Sequence, residues 1–109
     1  MNWIPLESAE KVDEIKMQQG YSIIFKHSTR CAISLMAKRR LEMDKEHLPE
    51  DLKCYFLDLI KNREVSNYVA QDFQVHHESP QLLVIKNGEC ILDQSHSGIS
   101  LEEALSVLN

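Results

Sequence analysis

The sequence predicts one α/β domain in which a mixed sheet carries helices on both faces. Helical and strand-like patterns alternate through the first two thirds of the chain, which is typical of parallel strands joined by helical crossovers. The pair Asn87-Gly88 then separates two apolar runs, which indicates a β-hairpin and an antiparallel addition to the sheet. A length of 109 residues, with 43% hydrophobic and 27% charged side chains, suits a single core.

The chain begins with a helical pattern followed by a strand pattern. Apolar residues recur every three positions from Leu6 to Ile15, with Ser8 as the expected N-cap and Gly20 as the expected stop. The next segment, YSIIFK at 21–26, is short, β-branched and aromatic. These features predict a buried strand.

A second helix and a second strand follow. From Cys31 the apolar residues fit a helix with one broad apolar face, so Met36 and Met43 are expected in the core. The polar segment 44–51 contains a proline and is expected to be a surface loop. The run KCYFLDLI at 53–60 predicts another buried strand.

The last third of the chain contains a helix, a hairpin and a terminal helix. Asn62 is the expected N-cap of a third helix, whose apolar residues repeat at helical spacing as far as Phe73. The hairpin occupies 81–94, a turn occupies 95–100, and 101–108 has the apolar spacing of a helix. The order of these elements is thioredoxin-like and predicts a three-layer fold over residues 1–109, with about four strands.

Charge and composition exclude several classes of partner. The formal net charge of −5 and the pI of about 5.5 argue against nucleic acid or an anionic membrane as the main partner. The short basic cluster 38–40 is expected to be a solvated helix end. The N-terminal residues resemble no signal peptide and no run is long enough to span a bilayer, so we expect a cytoplasmic protein.

Cys31 lies where a predicted strand gives way to a predicted helix. Sites in open α/β sheets form beyond the carboxyl ends of the parallel strands. At a helix N-terminus, unpaired backbone N–H groups and the positive end of the helix dipole stabilise a thiolate. The polar residues just before Cys31 argue against burial of the thiol, and they include the cations Lys26 and Arg30. Cys31 is therefore the candidate nucleophile.

The other cysteines and the histidines have less specific patterns. Cys54 and Cys90 are expected at the opposite end of the sheet, as packing residues. His76, His77 and His96 are expected near the site, but their spacing is not that of a metal site, so no metal is predicted.

Three segments together resemble the YtxJ-type bacilliredoxins, the monothiol branch of the bacillithiol system. They are FKHSTRCAIS at 25–34, ESPQLLVIKNG at 78–88 and SHSGIS at 95–100. Cys31 and Ser34 occupy the two cysteine positions of the thioredoxin Cys-x-x-Cys motif. The residue after the cysteine is commonly proline in that family, and here it is Ala32.

The resemblance implies a function and a set of site residues. The fold would be thioredoxin-like, with a cis peptide bond before Pro80, and Cys31 would take bacillithiol from mixed disulfides of S-bacillithiolated proteins. Ser34 in place of the resolving cysteine implies a one-thiol cycle, in which bacillithiol is a co-substrate and no cofactor is bound. Ser34 is also a candidate catalytic residue, because its hydroxyl could hydrogen-bond the Cys31 thiolate, although a polar residue in the first helical turn need have no chemical role. The expected substrate-binding residues are Lys26, Thr29, Arg30, Ser79, Pro80 and His96.

Two other functions remain open on the sequence alone. A redox-inert adaptor could use the same groove to bind a peptide, in which case Cys31 would form no adduct with disulfide reagents. A metal or iron–sulfur carrier is a third alternative, and metal content after anaerobic purification distinguishes it.

Overall fold

The computed structural model describes residues 1–108, so Asn109 of the predicted domain lies outside the described residues. The strands are β1 (Trp3–Pro5), β2 (Tyr21–His27), β3 (Lys53–Asp58), β4 (Gln81–Lys86) and β5 (Glu89–Ser95). The α-helices are α1 (Ala9–Met17), α2 (Ala32–Met43), α3 (Arg63–Asp72) and α4 (Leu101–Leu105). Two short 3-10 helices occupy Lys45–His47 and His96–Gly98.

The five strands form one mixed sheet in the order β1-β3-β2-β4-β5. The pairs β1–β3 and β3–β2 are parallel, whereas β2–β4 and β4–β5 are antiparallel. Helices cover both faces of the sheet. The predicted three-layer thioredoxin-like fold is confirmed.

Strand β1 is the one strand of residues 1–108 that the sequence did not indicate. Its three residues, Trp3–Pro5, are too few for a periodic pattern and include a proline. Proline is tolerated because β1 is an edge strand. The Trp3 ring stacks on Phe25 with centroids 5.7 Å apart, and its indole N–H donates to Glu42. These long-range contacts place β1 beside β3, and the sheet has five strands rather than four.

The two faces of the sheet carry separate cores. One core lies under α1 and α3 and includes Val12, Ile24 and Val69, whereas the other lies under α2 and α4 and includes Ile23 and Leu41. Consecutive residues of a strand point to opposite faces, so β2 contributes to both cores.

Helix α2 buries a narrower stripe than its sequence predicts. The buried residues are Ser34, Ala37 and Leu41. Met36 and Met43 are 60% and 77% exposed, so their predicted core positions are wrong. A helix lying on a sheet buries one stripe along its length, and the apolar residues outside that stripe face solvent.

Local signals at the element ends agree with the structure. The Ser8 hydroxyl accepts a hydrogen bond from the Lys11 N–H at the start of α1. Gly88, in the hairpin turn, has φ +81, and a Cβ there would lie 2.0 Å from the Lys16 carbonyl oxygen, so only glycine fits. Over residues 1–108, no helix combines the length and apolar character needed to cross a membrane.

Candidate functional site

The candidate site lies at one end of the sheet, where three chain segments meet. Strand β2 runs toward this end, and the antiparallel strand β4 starts from it, with Lys26 paired to Gln81. The segment after β2 leads into Cys31, and the segment before β4 contains Ser79 and Pro80. The predicted nucleophile and the proline loop therefore emerge from neighbouring strands at the same end of the sheet.

Cys31 is the N-cap residue of α2 and has extended backbone angles (φ −109, ψ 120). Its N–H donates to the Ser28 carbonyl at 3.1 Å, and its carbonyl accepts from the Leu35 N–H at 3.0 Å. The thiol makes no capping hydrogen bond, is partly exposed and is not in a disulfide. The neighbouring Thr29 and Arg30 are exposed. A partly exposed thiol at a helix N-terminus, next to a cation, is the setting of a reactive cysteine.

Ser34 lies one turn into α2 and is fully buried. Its hydroxyl oxygen accepts a hydrogen bond from the Ser28 N–H at 3.0 Å and lies 2.6 Å from Nδ1 of His27. Ser34 therefore ties the start of α2 to the end of β2. Ser34 occupies the position where a dithiol enzyme carries its resolving cysteine. The hydrogen bond that it could make to the Cys31 thiolate is not among the contacts of residues 1–108, because the hydroxyl is engaged by Ser28 and His27 instead.

The proline loop, residues 76–80, is held by hydrogen bonds with the Gln81 side chain. The Ser79–Pro80 peptide bond is cis, and Pro80 is buried. The buried Gln81 side chain donates to the His76 carbonyl at 3.0 Å and accepts from the Glu78 N–H at 3.4 Å. These contacts fix the approach of the chain to Pro80.

His96 lies beside this loop, as predicted. Its N–H donates to the Pro80 carbonyl at 3.0 Å, and its Nε2 lies 3.5 Å from a carboxylate oxygen of Glu78. Arg40 donates to the carbonyls of His96 and Ile99. Arg40 thus links the turn at His96 to α2 by hydrogen bonds. The basic cluster 38–40 was expected to be a solvated helix end, and Arg40 is the residue of the cluster that departs from this expectation.

Lys26 is not in the predicted position. The sequence suggested a substrate contact, but the side chain is 0% exposed and points to the α3 face of the sheet. Its ammonium lies 3.2 Å from Nδ1 of His77 and 3.5 Å from the Ser66 carbonyl. The predicted substrate contact is therefore wrong, because a fully buried ammonium cannot reach a ligand in solvent.

Cys54 and Cys90 lie in environments that suppress thiolate formation. Cys54 is buried on β3, and Cys90 is half-buried near the hairpin turn. Burial raises the pKa of each of these thiols to about 11. The prediction that both are packing residues agrees with this.

The histidines do not converge on a metal site. Among residues 1–108, no three His, Cys, Asp or Glu side chains are grouped closely enough to hold a metal ion. His76 is 91% exposed and lies near Glu78, whereas His77 turns inward to Lys26. The two adjacent histidines therefore have different environments.

Sequence reasoning missed the residues that support the site from beneath. His27, Arg40 and Gln81 touch the helix and loops that carry the site, and His27 and Gln81 are buried. One signal was available: polar Lys26 and His27 directly follow the apolar run 23–25 in a strand predicted to be buried. Polar side chains in a buried strand need hydrogen-bond partners, so their presence in the sequence indicates that other polar residues pack against the end of this strand.

A partly exposed thiol at the N-cap of the helix after a central strand, opposite a cis-proline loop, defines a thioredoxin-fold protein of the thiol-redox class. A family model described as Monothiol bacilliredoxin BrxC matches residues 4–104. The chain therefore belongs to the monothiol bacilliredoxin family.

Solved structures are similar over nearly the whole chain. A thioredoxin-fold protein assigned as an oxidoreductase is 30% identical, with a TM-score of 0.80, and the match covers 93% of this chain and 91% of that one. Thioredoxin from Trypanosoma brucei brucei is 15% identical, with a TM-score of 0.77 and coverage of 96% and 88%. Malassezia sympodialis thioredoxin is 18% identical, with a TM-score of 0.74 and coverage of 95% and 88%. The two thioredoxins are similar to this chain in fold.

Proposed function

We propose that this protein is a cytoplasmic monothiol oxidoreductase that removes bacillithiol from protein mixed disulfides. The observation that carries the proposal is the contrast between Cys31 and Ser34. One thiol is partly exposed at a helix N-terminus, and the position that resolves a dithiol cycle holds a buried hydroxyl. A thiol-redox protein with this arrangement exchanges a small thiol rather than closing its own disulfide.

The proposed reaction consists of two exchanges with no net change in the number of disulfides. The Cys31 thiolate attacks the bacillithiol sulfur of the mixed disulfide, the protein–bacillithiol bond breaks, and the substrate cysteine leaves as a thiolate that takes up a proton. A second bacillithiol thiolate then attacks the bacillithiol held on Cys31. Bacillithiol disulfide leaves, and Cys31 is again a thiolate.

Exposed residues next to Cys31 would bind the co-substrate and the protein substrate. Arg30 and Thr29 are exposed beside the thiol, and a guanidinium suits the carboxylates of the malyl end of bacillithiol. The backbone at Ser79 and Pro80 would align the substrate disulfide by strand-like pairing, and His96 would border that contact. S-bacillithiolated proteins and free bacillithiol are the proposed partners.

The test is intact-mass analysis after exposure to bacillithiol disulfide and to a protein that carries bacillithiol on one cysteine. We expect the wild type to gain one bacillithiol, on Cys31, and to release the reduced substrate. Cys31→Ser should gain none, and Cys54→Ala should behave as wild type. A wild type that forms no adduct would contradict the proposal and favour the redox-inert adaptor. A disulfide from Cys31 to Cys54 or Cys90 during turnover would contradict the one-thiol cycle.

A further inference from the structure

Lys26 carries a buried ammonium that contacts no carboxylate among residues 1–108, and it lies beneath the proline loop. Lys26 Nζ lies 3.2 Å from Nδ1 of His77 and 3.5 Å from the Ser66 carbonyl oxygen. Burial lowers the pKa of Lys26 to about 8, so the amine is still mostly protonated at pH 7. An ammonium without a carboxylate in a core is rare, and it usually has a specific use.

The contact with Lys26 selects one tautomer of His77. An ammonium only donates hydrogen bonds, so Nδ1 of His77 must accept, and the ring proton is then on Nε2. The Ser66 hydroxyl lies 3.2 Å from the same Nδ1, which gives that nitrogen two donors. His77 is thereby held from β2 and from α3 at once.

His77 lies three residues before Pro80, so its anchoring extends to the loop of residues 76–80. We propose that Lys26 and His77 position this loop for pairing with a substrate disulfide, and that protonation of His77 releases it. The proposal rests on the proposed function for its consequence in catalysis. In this arrangement Lys26 is a positioning residue rather than a substrate contact.

The charges around His77 oppose its protonation. Burial, together with the positive charges of Lys26 and Arg63 and of His76 when protonated, lowers the pKa of His77, and Glu78 acts in the opposite direction. Protonation would place two cations 3.2 Å apart and remove the acceptor at Nδ1. The contact therefore holds at neutral pH and breaks in acid, at a pH below the ordinary histidine range near about 6.5.

The experiment compares three variants with the wild type from about pH 8 to about pH 5, across the histidine range. His77→Asn places an amide oxygen near Nδ1, so it can accept from Lys26 and does not titrate. His77→Phe and Lys26→Met remove the acceptor and the donor. His47→Asn is the matched control, because His47 is an exposed histidine outside this loop, in the 3-10 helix Lys45–His47. Amide NMR signals of residues 76–79 report the loop without any chemistry, and the rate of bacillithiol transfer reports its use.

We expect wild-type loop signals to shift and broaden as His77 is protonated, with a parallel loss of rate. His77→Asn should keep most of the rate at pH 7 and remove the acid dependence of the loop signals, while the slowing of exchange that comes from protonation of the attacking thiolates remains. His77→Phe and Lys26→Met should perturb the loop signals and lower the transfer rate about tenfold, the effect of losing one hydrogen bond to a charged group. His47→Asn should follow the wild-type profile.

Two results would overturn the proposal. One is a Lys26→Met variant with wild-type loop signals and rate, and the other is a His77→Asn variant whose loop signals retain the full acid dependence of the wild type. A wild type that transfers no bacillithiol but shows the titrating loop would instead contradict the proposed function and leave the positioning role in place.

Discussion

Lys26 and His27 are consecutive residues at the end of β2, and they support different halves of the site. His27 points to the α2 face, where its ring lies 5.3 Å from the Phe56 ring and its Nδ1 lies 2.6 Å from the Ser34 hydroxyl. Lys26 points to the α3 face and donates to His77. One residue supports the helix that carries Cys31, and the other supports the loop that carries Pro80.

The His27–Ser34 pair and the Lys26–His77 pair differ in charge, so we expect them to have different effects on the stability of the fold. The His27–Ser34 pair is uncharged when the imidazole is neutral, and its hydrogen bond gives each of these buried polar groups a partner. The Lys26–His77 pair buries a cation, which is unfavourable without a carboxylate partner. We therefore expect the first pair to stabilise the fold and the second pair to destabilise it.

The largest effect is expected from Ser34→Cys, which changes the chemistry on the α2 face. The new thiol lies one helical turn after Cys31, close enough to form a disulfide in this motif. It should shorten the lifetime of the bacillithiol adduct on the order of a hundredfold, because the expelling thiol is now in the same molecule. Peptide mass mapping should find a bond between Cys31 and the introduced thiol. A long-lived adduct would show that the buried position cannot resolve it.

On the α3 face, Lys26→Met should stabilise the protein. Removing the buried ammonium should raise the free energy of unfolding at pH 7 by about 2 kcal/mol, and the Ser66 hydroxyl can still donate to His77. Because the pKa of Lys26 is lowered to about 8, the amine is charged below that pH and becomes neutral above it. The gain should therefore shrink as pH rises from about 8 toward 10.5, the ordinary value for lysine. Urea unfolding of the wild type and the variant at several pH values measures this gain in stability. A variant less stable than the wild type would contradict the view that the buried cation destabilises the fold.

Ser34→Ala should have the opposite sign. It removes the acceptor of the part-buried Ser28 N–H and the partner of the buried Nδ1 of His27. We expect a loss of about 2 kcal/mol, the cost of leaving buried polar groups unpaired. Ser97→Ala, on the exposed turn, is the control and should change stability by less than about 0.5 kcal/mol. Equal effects of the two substitutions in chemical denaturation would show that the buried pair contributes little.

The smallest effect concerns acid stability, to which both faces contribute. Burial is the main cause of the lowered pKa of His27 and of His77, and a nearby lysine adds to it in each case, Lys38 and Lys26 respectively. The unfolded chain therefore binds protons at a higher pH than the folded one, so stability is complete above about 6.5 and falls as pH drops through that value. His77→Asn should flatten part of this fall in thermal unfolding, and His47→Asn, at an exposed histidine outside the loop, should not. An unchanged slope in His77→Asn would assign the acid sensitivity to His27 or to another group.

Most of the fold could be predicted because local signals agree with the tertiary structure. The Ser8 cap, the Asn87-Gly88 turn and the two buried strands depend on backbone geometry and apolar burial, which short segments encode. The strands predicted at 21–26 and 53–60 are observed at Tyr21–His27 and Lys53–Asp58, so the second is two residues shorter than predicted. Strand β1 could not be predicted, because three residues acquire a strand conformation only by pairing with β3. The exposure of Met36 and Met43 could not be predicted either. The apolar residues of α2 extend over more than one stripe, and the sequence does not show which stripe will pack on the sheet.

The sequence by itself determined the position of the nucleophile. Cys31 follows a strand and begins a helix, and that junction fixes the end of the sheet where the thiol lies. The tertiary structure alone decided what surrounds it. Lys26, predicted to contact substrate, is buried against His77, a residue 51 positions away, and Ser34 turns to His27. Alternation along β2 sends Lys26 and His27 to opposite faces, and a buried polar group takes whichever partner the packed chain brings within hydrogen-bond distance.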